Sequence, residues 1–239
     1  MLGFTSAVRG LSIEATDGAI GEVEDVYFDD QSRDLRWFLV DLGSWLTGRR
    51  VLLPASHLVL DAAKSVIRAE LARTQIENGP RADAHRPVSR QMEMSIYGYY
   101  NWAPYWGAPT LAPGVRQPSP LGLVPPPGAG VGGVLRTGPQ LREDDDPHLR
   151  SADEVVGYYV RAQDGPLGHI EDLLISPDPW SVAALVIDTK NWWPGRKVVL
   201  DTDVLLGFSW GERLVELKCN RSQIKESPEY DPREASLTR

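Results

Sequence analysis

The sequence predicts a mostly β protein: two tandem small β-barrels joined by an aromatic and Pro/Gly-rich linker. Three observations carry this. The stretch DGAIGEVED, residues 17 to 25, is spelled again as DGPLGHIED at residues 164 to 172. Short apolar or alternating runs surround both copies, and they have the length of strands rather than of helices. Between the copies lies a segment of different composition. The divisions drawn from these are a first repeat at 1–90, a linker at 91–150 and a second repeat at 151–239.

The repeat is extensive. Val8–Leu53 aligns on Val155–Leu200 without a gap at an offset of 147, with 14 identities in 46 positions. Asp17-Gly18 recurs as Asp164-Gly165, Gly21 as Gly168, Glu24-Asp25 as Glu171-Asp172, and Gly48-Arg49 as Gly195-Arg196. At offset 148, ARTQIENGP (72–80) is echoed by NRSQIKESP (220–228). A repeat of this kind has to be recognised before any motif inside it is interpreted.

Each unit then reads element by element. Asp17-Gly18 and Asp164-Gly165 suit a tight hairpin turn that needs positive φ. Gly21 and Gly168 sit inside strand patterns, where glycine marks a bulge or sharp bend. RWFLVDL and VAALVIDT read as buried strands. VLL and VVL follow the Gly-basic pairs, and SVIRAEL and RLVELKC close the units with period-2 alternation. A brief helix or turn ended by proline follows. Five or six short strands around a small core point to closure into a barrel, which removes exposed edges.

The carboxylates do not read as a metal or acid–base site. Asp17 is turn chemistry, and Glu22 aligns with His169. Only Glu24-Asp25 and Glu171-Asp172 recur, and neighbouring strand residues point to opposite faces. A buried member of each pair needs a partner. Arg49 for Asp25, and Arg196 for Asp172, are the expected ones. Asp17, Gly18, Gly21, Asp25, Asp164, Gly165, Gly168 and Asp172 are therefore assigned structural roles.

Motifs of enzymes and cofactor binders are missing. His57, His85, His148 and His169 are isolated, and no P-loop, GxGxxG or GxSxG occurs. The lone Cys219 lies in an alternating run without a basic neighbour. No catalytic residue, metal ligand or cofactor is assigned. The net charge is −8 and no third of the chain is basic, which argues against a nucleic-acid partner. No signal peptide or apolar run of spanning length is read, so the expected location is cytoplasmic, with peripheral attachment at the inner membrane as the alternative.

The segment 91–150 holds MSIYGYYNWAPYWGAP from Met94, uncharged from there to Val115, and continues with PSPLGLVPPPGAGVGG. The second stretch has a mobile-linker composition. The aromatic cluster admits three readings: a cap over the first barrel, a docking segment for a protein, or a membrane-interface anchor. Tyr99, Tyr100, Trp102, Tyr105 and Trp106 are the contact candidates, then Trp45 and Trp192 with Arg49 and Arg196.

The ordered set DGAIGEVED, an apolar strand ending in Asp, a Gly-basic pair before VLLP or VVLD, and IKESPEYDP resembles the PRC-barrel family, twice over. The resemblance spans about 8–90 and 153–232. It departs where Asp201 replaces Pro54, and after Pro80. The family includes the barrel of the photosynthetic reaction centre H subunit and a domain of a ribosome-maturation factor. The resemblance implies two tandem PRC-type barrels acting as a non-catalytic adaptor on a larger protein assembly. A peripheral membrane or reaction-centre-associated component is the first alternative, and a ribosome-associated factor the second. A protein partner is expected, and no small-molecule substrate.

Overall fold

Alternating side chains and turn residues produce the same run of elements twice. The structure is a computed structural model that describes residues 3–43, 48–82, 90–105, 148–189, 196–209 and 211–226. The first run is β1 (Gly3–Phe4), α1 (Thr5–Val8), β2 (Ser12–Ala15), β3 (Gly18–Asp29), β4 (Leu35–Asp41), β5 (Arg50–Pro54), a 3₁₀ turn (Ala55–His57), β6 (Leu58–Asp61), β7 (Val66–Ala69) and α2 (Arg73–Glu77). Among the described residues one helix, α3 (Arg90–Tyr100), lies between the two runs in the chain. The second run is β8 (Leu149–Ser151), α4 (Ala152–Val155), β9 (Tyr159–Ala162), β10 (Gly165–Pro177), β11 (Trp180–Asp188), β12 (Lys197–Asp201), a 3₁₀ turn (Thr202–Val204), β13 (Leu205–Ser209), β14 (Leu214–Leu217) and α5 (Arg221–Lys225).

The sheet orders match: β5-β4-β3-β2-β7-β6 in one repeat and β12-β11-β10-β9-β14-β13 in the other. β2 and β7 pair in parallel, as do β9 and β14. Among the described residues the expected closure does not occur. β5 and β6 follow one another through the 3₁₀ turn and do not pair, and the same holds for β12 and β13. The edges are handled in other ways. The edge strands have only four or five residues, and the free side of β5 is covered where Val51 bridges Arg81 and the Ala82 N–H donates to the Arg50 carbonyl at 2.9 Å.

The recurring residues have identifiable causes. Gly18 and Gly165 hold φ of +133° and +140°, where an L side chain is strained. A Cβ on Gly21 would collide with the carbonyl oxygen of Asp41, and one on Gly168 with that of Asp188. Both glycines lie at register shifts between their strand and β2 or β9. The turn aspartates do a second job. The Arg73 N–H donates to Asp17 at 2.7 Å and the Arg221 N–H to Asp164 at 2.9 Å, so each hairpin turn caps the short helix that closes its repeat. Gln75 and Gln223 reach back to accept from the N–H groups of Ala72 and Asn220. Ile76 and Ile224 are the buried anchors of these helices.

The two repeats make one compact unit, and residues 89–145 a second. β1 pairs with β10 of the other repeat, and β8 pairs with β3. Each repeat thus gives its first strand to its neighbour's sheet. Trp37 and Phe38 are both fully buried on β4 although they face opposite sides. Phe38 meets Trp180 of the second repeat edge to face, with ring centroids 4.9 Å apart. This double burial explains why RWFLVDL shows no alternation.

The helix α3 is absent from the sequence reading, which placed a linker there. It has no proline between Pro87 and Pro104. It ends at Asn101, whose φ is +56°, with the Trp102 N–H donating back to the Tyr97 carbonyl at 3.0 Å. Glu93, Ile96 and Tyr97 are buried, while Met94 and Tyr99 are exposed, giving an i, i+3, i+4 face.

Candidate functional site

The paired carboxylates resolve into two separate structural roles. Glu24 pairs with Arg50 and Glu171 with Lys197, each inside its own repeat. Asp25 and Asp172 point the other way, across the seam between repeats. Asp25 is 5 % exposed. It accepts from the Ser151 hydroxyl, from the Asp153 N–H at 3.2 Å and from the Val26 N–H at 2.8 Å, with Arg9 3.7 Å away. Asp172 accepts from the Ser6 hydroxyl and the Leu173 N–H.

The expected pairs Asp25–Arg49 and Asp172–Arg196 are therefore wrong. Arg49 donates to the Gly79 carbonyl, and Arg196 to the Lys225 carbonyl at 3.5 Å. The arginines tie the start of β5 or β12 to the end of the closing helix. Asp25 finds partners 126 and 128 residues away and Asp172 one 166 residues away, brought in with the exchanged strands.

A second charged cluster lies at the same seam. Asp30 is held by Arg150 at 2.8 Å and by His148 at 3.0 Å. The side chains of Asp30 and Arg150 are each 8 % exposed. Burial pushes the Asp30 carboxyl above its ordinary range, against the pull of Arg150 and His148. Burial likewise raises the thiol of half-buried Cys219. Among the described residues no group of three or more His, Cys, Asp or Glu side chains is placed to hold a metal ion. Among them, too, no helix is long and apolar enough to cross a membrane.

The contact candidates divide. Trp45, Trp106 and Trp192 lie outside the described residues. Tyr99, Tyr100 and Trp102 come together at the end of α3, and Tyr105 follows them in the chain. Tyr100 stacks on Trp102 with centroids 4.5 Å apart and planes 19° apart, and Tyr99 meets Tyr100 edge to face at 4.8 Å. Tyr99 and Tyr105 are exposed, and Tyr100 and Trp102 half-buried. The Asn101 cap sets this geometry by turning the chain so that Trp102 folds back onto Tyr100.

Sequence reasoning missed a cleft of about 670 Å³ at the seam, between the edge strand β6 and the turn Pro177–Trp180. Its signals were the Asp178-Pro179 pair and the Trp that follows it. Val59 on β6 is 63 % exposed beside it.

Residues 4–71 match the family model of the PRC-barrel domain. That span runs from the end of β1 past β7. The second repeat carries the same strands in the same order. The first repeat thus matches the PRC-barrel domain, and the second repeats its barrel-like fold; among the described residues neither sheet closes. No curated protein matches the chain.

Proposed function

We propose that the protein is a non-catalytic adaptor that docks onto a larger protein assembly through the aromatic ladder at the end of α3. The observation that carries this is the stacked array Tyr99–Tyr100–Trp102, with Tyr99 exposed and a further exposed ring, Tyr105, three residues beyond Trp102. Rigid aromatic side chains supply large contact area at low entropic cost and dominate protein interfaces. The helix cap holds the rings in register before any partner arrives, which lowers the ordering cost of binding. The PRC-barrel match of the first repeat agrees with a binding module.

The test is affinity capture with full-length protein beside a variant in which Tyr99, Tyr100, Trp102, Tyr105 and Trp106 are Ser. A partner captured by the wild type and lost by the folded variant supports the ladder. Identical partners overturn it. Because Tyr100 and Trp102 are half-buried, Tyr99→Ser with Tyr105→Ser serves as the milder second variant, checked by circular dichroism.

A further inference from the structure

The seam between the repeats is asymmetric in its charges although it is symmetric in its backbone. Asp30 follows β3 of the first repeat, and Arg150 sits on β8 of the second. At the 147-residue offset, the position of Asp30 is held by Pro177 and that of Arg150 by Gly3. The registers agree: Arg150 lies opposite Phe28, and Gly3 opposite Ile175. One buried ion pair therefore exists where the pseudo-symmetry offers two places.

We propose that this seam is a hetero-selective interface, in which each repeat is built to complete the other and not a second copy of itself. Pairing two first repeats would bury two Asp30 carboxylates opposite Gly3, each without the Arg150 and His148 that hold it here. Pairing two second repeats would bury two Arg150 guanidinium groups opposite Pro177. A buried charge without its partner is strongly unfavourable, so the single ion pair acts against both wrong pairings.

Two further asymmetries act in the same direction. Arg9 joins Asp153 at 2.8 Å and Asp25 at 3.7 Å. Its counterpart is Val156, and the counterpart of Ser6 is Asp153. Two second repeats would place Asp153 against Asp172 with no arginine between them. Trp180, buried against Phe38, has Arg33 as its counterpart. Arg33 now lies 5.8 Å over the Phe208 ring. By sheet register Phe208 corresponds to Leu60, so two first repeats would take that ring away from both arginines. The repeats consequently present one composite surface to any partner, rather than two independent heads.

The test uses the full chain with a protease site inserted in the run 118–133. After cutting, the protein is unfolded in urea, refolded by dilution and examined by native mass spectrometry. The expected result is a single species holding one copy of each half. Homodimers in statistical proportion overturn the proposal, as do halves that separate or aggregate, since such an interface does not select its own complement. A second chain carrying Asp30→Leu and Arg150→Met removes both buried charges together, and the partly exposed His148 keeps its contact with Gln31. Homodimers are expected to appear beside the heterodimer in that chain. Its refolding to heterodimer alone would remove the ion pair as the source of selectivity.

Discussion

The indole N–H of Trp180, in the second repeat, donates to the backbone carbonyl of Leu58, in the first, at 2.7 Å. The same ring packs edge to face on Phe38. It is 7 % exposed, so both its area and its hydrogen bond count. Trp180→Phe keeps most of the packing but strands the Leu58 carbonyl, and is expected to cost about 1 kcal/mol. Trp180→Ala also empties the seam and is expected to cost about 3–5 kcal/mol. Urea unfolding of the two variants checks this. Equal losses would mean that the ring packing is unimportant.

The strand glycines give a graded prediction. Gly168→Ala and Gly21→Ala drive a methyl group into a backbone carbonyl, which cannot swing aside as a side chain could. Each is expected to cost about 3 kcal/mol, with Gly168 the more severe because its approach to Asp188 is closer than that of Gly21 to Asp41. Gly10→Ala is the control: its φ is +78° but the space around it is open, so backbone strain of about 1 kcal/mol is expected. Thermal unfolding of the three variants gives the order.

Removing the Asp25 acceptor leaves the Val26 N–H and the Ser151 and Asp153 donors without their partner. Asp25→Ala is expected to cost about 1–3 kcal/mol. Arg49→Ala, which loses only a link to the Gly79 carbonyl, should leave the seam intact. Amide hydrogen exchange separates the two: the first variant should expose the amides of α4, and the second those after α2.

The same carboxylate carries a pH dependence. Burial raises the Asp25 carboxyl above its ordinary 3.8, against the hydrogen bonds from Ser151, Val26 and Asp153 and the charge of Arg9. The folded state then holds this proton more tightly than the unfolded state. Stability from this group is greatest at low pH and falls as the pH rises from 3.8 through the raised value. Asp30 acts in the same direction. Asp164, held down chiefly by the Arg221 N–H, acts oppositely: its contribution is lost as the pH falls below 3.8. Asp25→Asn cannot ionise, so it should gain on the wild type as the pH rises through that window. Unfolding titrations at stepped pH show whether the difference between the two proteins changes there. A constant difference would place the Asp25 carboxyl at its ordinary value.

Much of this fold was legible because its causes are local. Asp17-Gly18 announces a turn by backbone preference alone, and Gly21 announces a bend because no other residue fits against Asp41. The period-2 runs SVIRAEL and RLVELKC became β7 and β14. Other features had no local signature. Asp25 was assigned to Arg49 because the two are near in sequence and recur together, but the strand exchange brings Ser151 and Asp153 closer. The barrel was expected to close because closure protects edges, but two short edge strands and the Arg81–Ala82 segment do that without it. The helix α3 could have been found from its proline-free run and the Asn101 cap, which the aromatic composition obscured.

The sequence by itself determined the repeat, the succession of strands along each unit and the residues that make turns and bends. Those depend on backbone sterics and on side-chain alternation, which act over a few residues. Only the tertiary structure decided which repeat completes which sheet, where the buried charges meet and that Trp180 packs on Phe38. Those outcomes depend on contacts between residues more than a hundred positions apart, as Asp30–Arg150 and Leu58–Trp180 are. Such contacts leave no periodicity in the chain, and their energies appear only once burial has removed the water that would otherwise satisfy each group.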